Sequence, residues 1–225
     1  MQASTYQLFD PLTRLRAAAA ERETAGLRRR LSPRPPGQQV LDLASNDYLG
    51  LSGDPRLAEA AASAARTWGT GATGSRLVTG TTALHARLEE ELADFAGAPG
   101  ALVFSSGYLA NLAAVTALAA ALAPGRADAE DGSFPAAGAA GSGGLLIVSD
   151  ERNHASLIDA CRLARGRDVR LAVTPHLDLV AMEAALAERP EAAALIVTDA
   201  VFSVSGGLAP VTALHAMARR QGALL

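Results

Sequence analysis

Ser105-Ser106-Gly107-Tyr108 is the stretch of this chain with the clearest chemical potential. It follows a short apolar run, Ala101–Phe104, that reads as a strand. It precedes an Ala/Leu-rich helical pattern running from Tyr108 to about Leu122. A strand that turns through Ser-Ser-Gly into a helix presents unpaired backbone N–H groups at the positive end of the helix dipole, and such a place suits a phosphate. Gly107 lets a ligand approach the backbone, and Ser105 or Ser106 can cap the helix or bond the anion directly. An ordinary capped turn fits the same four residues. Three further groups stand at similar places. His154 heads a helical pattern and reads as a capping or surface histidine. Ser203 lies in a loop, Asp199–Gly207, where turn serines are common. Arg28-Arg29-Arg30 closes the first helical pattern, as cations at a helix end often do.

One further pattern invites a chemical reading and fails it. Gly69-Thr70-Gly71-Ala72-Thr73-Gly74 matches G-x-G-x-x-G letter for letter. The dinucleotide fingerprint needs a strand before it and a helix after it. Here a helical pattern from Pro55 to about Trp68 precedes, and Ser75–Gly80 reads as irregular, so a flexible loop is expected.

The elements that must position these residues follow from periodicity. Tyr6–Arg30 is helical, and Ser32–Gly37 breaks it with prolines and glycine. Val40–Leu43 reads as a short strand, and Thr82–Phe95 as an amphipathic helix with Leu84, Leu88, Leu92 and Phe95 on one side. Pro124–Gly144 is rich in Gly, Ala and Asp without periodicity and reads as a surface loop. Then strands and helices alternate: Leu145–Val148, Ala155–Arg165, Val169–Val173, Leu177–Glu188, Ala194–Val197 and Val211–Arg220. Gly222–Leu225 looks like the opening of another strand. This alternation predicts an α/β fold with a largely parallel sheet and helices on both faces. Sites in such sheets lie at the carboxyl ends of strands. Ser105–Tyr108, Ser149–His154 and Asp199–Ser205 all follow strand patterns, so all three could meet on one edge.

Composition narrows the function classes. Net charge is −3 and the pI about 5.8, which leaves no basic footprint for nucleic acid. Cys161 is the single cysteine, so no internal disulfide can form. The N-terminal residues do not read as a basic-then-apolar signal peptide, and Leu109–Ala123 is shorter than the roughly 20 apolar residues of a membrane span. A cytoplasmic protein without a membrane partner is expected. All 20 Lys+Arg residues are arginine. Arginine keeps its proton under nearly all conditions, so no side chain of these 225 residues can supply a Schiff-base amine.

SNDYLGL at Ser45–Leu51, GTGATGSRLVTG at Gly69–Gly80, the LEEELADF helix, SSGYLAN at Ser105–Asn111 and SDERNHASL at Ser149–Leu157 together resemble the α-oxoamine synthases. These are fold-type I enzymes that use pyridoxal 5′-phosphate (PLP). The likeness runs through nearly the whole chain in order, apart from Pro124–Gly144. It implies an acyltransferase whose intact form joins L-alanine to a pimeloyl thioester, on CoA or a carrier protein, with loss of carbon dioxide in biotin biosynthesis. Siblings in the family use glycine and other acyl-CoA donors. Lysine-free family subunits serve as non-catalytic scaffolds.

The resemblance implies roles as well. Gly107 and Tyr108 would hold the PLP phosphate or its near surroundings. His154 would stack on the cofactor ring and contact the amino acid, as the catalytic candidate. Ser203 would lie beside the cofactor. Arg28 would receive the far carboxylate of the pimeloyl group, since a guanidinium fork bonds both oxygens. Asn46 would support the site, and no metal is implied. The family is homodimeric with its active site at the subunit interface, so Gly69–Gly80 could reach a neighbour's site.

The family's Asp-x-x-His and PLP lysine would come after the strand pattern that begins near Gly222. On that reading, residues 1–37 form an N-terminal helix and linker. Residues 38–225 form an incomplete PLP-binding large domain, and the small C-terminal domain is absent. These 225 residues alone are therefore expected to be inactive. Incubation with L-alanine and pimeloyl thioester should yield no product, and turnover without any added chain would overturn the lysine chemistry.

Overall fold

Backbone chemistry sets the ends of the first helices. α1 spans Pro11–Thr24. It stops because Gly26 adopts a left-handed φ of 67° and the Leu27 amide folds back to the Arg22 carbonyl at 2.8 Å. The pattern Tyr6–Arg30 therefore overreaches at its carboxyl end. The computed structural model describes residues 11–38, 40–123, 144–166 and 168–225, so the start of that pattern and nearly all of the Pro124–Gly144 loop lie outside the described residues. α2 spans Pro55–Trp68, with Asp54 accepting the Arg56 amide as its cap and Gly69 closing it at φ 83°. A helix thus does run straight into Gly69–Gly74, as the rejection of the dinucleotide reading requires.

Val40–Leu43 is not a strand. Asp42 accepts the Ala44 amide at 3.1 Å and the Arg34 guanidinium at 2.9 Å, which fold the segment into a turn. The chain divides into two units, Met1–Gly71 and Ala72–Leu225.

The second unit opens on one π-helical turn, Arg76–Gly80, where the sequence suggested irregular chain. α3 (Ala83–Ala96) and α4 (Gly107–Leu122) follow. Next come β1 (Leu145–Asp150), α5 (Ala155–Ala164), β2 (Val169–Thr174), α6 (Leu179–Ala187), β3 (Ala193–Val197) and α7 (Val211–Gln221). The strands run parallel in the order β2-β1-β3, with Leu145 opposite both Val169 and Ala193. Leu224 bridges to Leu195 in parallel; its carbonyl accepts the Ile196 amide at 2.8 Å, and its amide donates to the Ala194 carbonyl at 3.0 Å. The strand expected after Gly222 therefore does begin beside β3.

Alternation along β1 splits the core. Leu145 and Ile147 face Val115 and Ala119 of α4 and Ala160, Cys161 and Ala164 of α5. Leu146 and Val148 face Met182 and Leu186 of α6 and Leu214, Met217 and Ala218 of α7. All six residues of β1 are buried, as a parallel strand covered on both faces must be. The α/β class with helices on both faces is as predicted.

Leu146 has no exposed surface. Leu146→Ala should cost roughly 2–5 kcal/mol, read as a lowered urea midpoint at unchanged slope. A loss below about 1 kcal/mol would mean that β1 is not packed on both faces.

Candidate functional site

The site is built by three loops that leave the carboxyl ends of the strands or enter the helices beside them. At the first, Ser106 caps α4: its Oγ accepts the Leu109 amide at 3.2 Å. The amides of Gly107 and Tyr108 are left as orphan donors of the first turn, with no protein acceptor among the described residues. A Cβ built on Gly107 meets nothing within 4 Å, so the space over this helix end is open.

Ala101–Phe104, which leads into that turn, is not a strand. Its polar groups go to side chains instead. Glu89 accepts the Val103 amide at 2.8 Å, and Arg76 donates to the Val103 carbonyl at 3.2 Å. Arg76 also grips Glu89 with both ends of its guanidinium, at 2.5 and 3.0 Å. The guanidinium and the Val103 amide hold the Glu89 carboxyl well below its ordinary value, at about 2. The apolar run was legible, but the described residues offer it no neighbouring strand, so side chains take the ladder's place.

The second loop carries His154. The residue caps α5, and its Nδ1 accepts the Ser156 amide at 3.2 Å. Nδ1 also meets Ser156 Oγ at 2.7 Å, and that hydroxyl takes a hydrogen bond from Asn111 Nδ2 of α4 at 2.9 Å. The His154 backbone amide donates to Asp199 Oδ2 at 2.6 Å, at the head of the third loop. Asn153 completes the junction. Its Nδ2 donates to the Val197 carbonyl at 2.8 Å and to Ser149 Oγ at 3.0 Å, and its Oδ1 accepts the Asp199 amide at 2.9 Å. Tyr108 crosses from α4 to α5 and donates its hydroxyl to Asp159, which pushes the phenol up and holds the carboxyl down.

The turn of Gly107 and Tyr108 is thus linked to the loop of His154 through Tyr108 and Asp159 and through Asn111 and Ser156, although no strand precedes Gly107. Ser203 sits exposed in the turn between the bridge partners Val201 and Leu208 and makes no side-chain hydrogen bond among the described residues. Arg28 and Asn46 belong to the first unit. Arg28 pairs with Glu23, whose other oxygen takes Arg30 at 2.6 Å. The guanidinium is therefore engaged with a carboxylate of its own chain. Cys161 is packed in the core between α4, α5 and the sheet, and burial pushes its thiol up.

Several members of this edge were not singled out from sequence. Asn153, Ser156 and Asn111 lay inside motifs that were recognised, but nothing in their spacing told which backbone groups they would serve. Asp150 is fully buried. It accepts the Leu177 amide at 2.7 Å and meets His176 Nδ1 at 3.0 Å. A hydrophobic strand ending in aspartate is the only sequence signal for that pair. Among the described residues no cluster of His, Cys, Asp or Glu could hold a metal ion. No described helix is long and apolar enough to cross a membrane.

Comparison with known proteins places this geometry. The model of the aminotransferase class I and II family matches residues 38–225. An 8-amino-7-oxononanoate synthase from Mycolicibacterium vanbaalenii is 54% identical over 217 residues, covering 96% of this chain and 50% of the relative. A solved structure of SPT with PLP matches at TM-score 0.74 and 26% identity, over 96% of this chain and 52% of that one. The 8-amino-7-oxononanoate synthase of Francisella tularensis matches at TM-score 0.54 and 25% identity, over 76% of this chain and 40% of that one. The chain spans about half the length of the curated relatives it matches.

The Arg76–Glu89 pair sets an acid limit on the segment before α4. The folded carboxyl sits at about 2 against an ordinary 4.5. The contribution of the pair is therefore complete above about 4.5 and is lost as pH falls through about 2. In an acid titration followed by NMR, the Val103 amide shift should move with a midpoint near 2. A midpoint near 4.5 would mean that the pair does not form in solution.

Proposed function

The chain belongs to the aminotransferase class I and II family, and from that premise we propose that it forms the PLP-binding part of an enzyme that makes 8-amino-7-oxononanoate from L-alanine and a pimeloyl thioester. In that reaction the alanine Cα joins the thioester carbonyl carbon, and the thiol and carbon dioxide leave. The observation that carries the reading is the open helix end at Gly107, with two orphan amides, tied by hydrogen bonds to the loop of His154. The 54% identity to a relative of that name supports the choice of reaction.

The residues present fit the cofactor. A phosphate would sit on the amides of Gly107 and Tyr108, where the helix dipole favours an anion and no Cβ fills the space. His154 would lie against the cofactor ring and contact the amino acid. Ser203, with its hydroxyl unengaged among the described residues, would bond the cofactor from the opposite loop. PLP, when bound, supplies an electron sink for a carbanion at the amino acid Cα. Arg28 would receive the distal carboxylate of the pimeloyl group in place of Glu23, and Asn46 would support the site. With no lysine among these 225 residues, the amine that bonds PLP must come from elsewhere. Function as a homodimer in the cytoplasm belongs to the same proposal. No feature of the site favours a scaffold role or a glycine-using sibling.

Expression of the protein from its natural reading frame in a bacterial strain lacking 8-amino-7-oxononanoate synthase tests this. Growth without biotin is expected, and its loss on His154→Ala is expected too. Failure to grow while the protein accumulates in folded form would overturn the reaction. Separately, Gly107→Val should weaken PLP binding to the 225-residue chain by about tenfold or more, because a branched side chain would occupy the space above the α4 amides. That drop is roughly 1.4 kcal/mol, and 31P NMR of PLP would read it.

A further inference from the structure

We propose that Ser156 and Asn111 are positioning residues that hold the His154 imidazole in one tautomer, with its proton on Nε2, and this rests on the reading of His154 as a site residue. The argument is an accounting of donors. The Ser156 backbone amide points at His154 Nδ1 at 3.2 Å. An amide nitrogen has only a proton to offer, so Nδ1 must present a lone pair. A proton on Nδ1 would set two donors against each other. The neutral ring therefore carries its proton on Nε2.

The Ser156 hydroxyl reinforces the choice. Its Oγ lies 2.7 Å from the same Nδ1, and it accepts from Asn111 Nδ2 at 2.9 Å. Asn111 takes one of the oxygen's two lone pairs, and because the Ser156 amide already requires a lone pair on Nδ1, the hydroxyl meets that nitrogen with its single proton. Ser156 has no exposed surface, so its own groups are shielded from water. The chain from Asn111 to Ser156 to His154 links α4 to the cap of α5. The helix whose amino end would hold the phosphate thus also determines which nitrogen His154 offers as a donor. The backbone bond from His154 to Asp199 Oδ2 at 2.6 Å fixes the loop that carries the ring. His176 makes the contrast. Its Nδ1 faces the Asp150 carboxylate at 3.0 Å, an acceptor, so its Nδ1 carries a proton.

The test is long-range 1H–15N NMR of the 15N-labelled 225-residue chain, which resolves the tautomer of each of its 4 histidines. His154→Gln assigns the signals. The unmodified chain should show His154 as a single Nε2–H species. Ser156→Ala removes the hydroxyl donor and should shift the tautomer ratio toward Nδ1–H by about fivefold, the value of one ordinary hydrogen bond. Asn111→Asp draws the hydroxyl proton to the new carboxylate and should shift the ratio the same way, whereas Ser156→Thr keeps the hydroxyl and should restore the single species. An Nδ1–H signal for His154 in the unmodified chain would overturn the proposal without any variant. An unchanged ratio in folded Ser156→Ala and Asn111→Asp would overturn it as well. The spectrum is taken without PLP. A chain that shows the single Nε2–H species yet binds no PLP would sink the proposed function and leave the positioning roles standing.

Discussion

The Asn153 side chain is the constraint on which the site depends. A parallel sheet ends in carbonyls and amides that no neighbouring strand can pair, and burial makes each of them costly if left alone. Asn153 is 4% exposed, and it serves the ends of two strands at once. It reaches the Val197 carbonyl at the end of β3, the Ser149 hydroxyl near the end of β1, and the Asp199 amide beyond β3. No apolar side chain could meet those three groups. Asp199 returns the contact by accepting the amide of His154. The two loops are therefore locked to each other by their polar atoms, and the ring of His154 is delivered to the edge by a frame that cannot shift without breaking buried bonds.

The two faces of the sheet carry different tasks. On the α4/α5 face, apolar packing ends in the polar chain from Asn111 through Ser156 to His154, so core and site are continuous. On the α6/α7 face, packing ends in Asp150, His176 and Phe202. The two rings meet edge to face at 4.4 Å, and the carboxylate holds the Leu177 amide, where the backbone takes a left-handed φ of 57°. This second cluster holds the turn into α6 and none of the candidate site residues.

The sequence was legible where one short-range signal decided the outcome. Apolar runs located β1, β2 and β3: β1 is buried along its whole length, and β2, at the edge of the sheet, is marked by its valines, leucine and alanine despite the exposed Arg170. The helices from α5 to α7 followed from length and periodicity. Ala101–Phe104 and Val40–Leu43 have the same look as those strands and are not strands. A run of apolar residues says nothing of whether a partner strand lies alongside, and polar side chains took the hydrogen bonds instead. The site was half legible for the same reason. A serine-glycine turn before a helix is a local signal. Two of the three partners of Asn153 lie 44 and 46 residues away, and a partner at that distance is settled only by the fold. Arg28 was singled out by resemblance alone, and its pairing with Glu23 shows its appetite for carboxylates without showing which one it serves.

Burial is unevenly shared between the two units, and this has a thermodynamic consequence. Among the described residues of Met1–Gly71 none is buried, and Leu31, Leu41 and Leu43 are almost wholly exposed. Heat capacity and denaturant slope both scale with the apolar surface that unfolding uncovers. A unit that has hidden almost none has almost none to uncover. A calorimeter would therefore register Ala72–Leu225 as the melting body, while the described residues of Met1–Gly71 would come apart without a peak of their own.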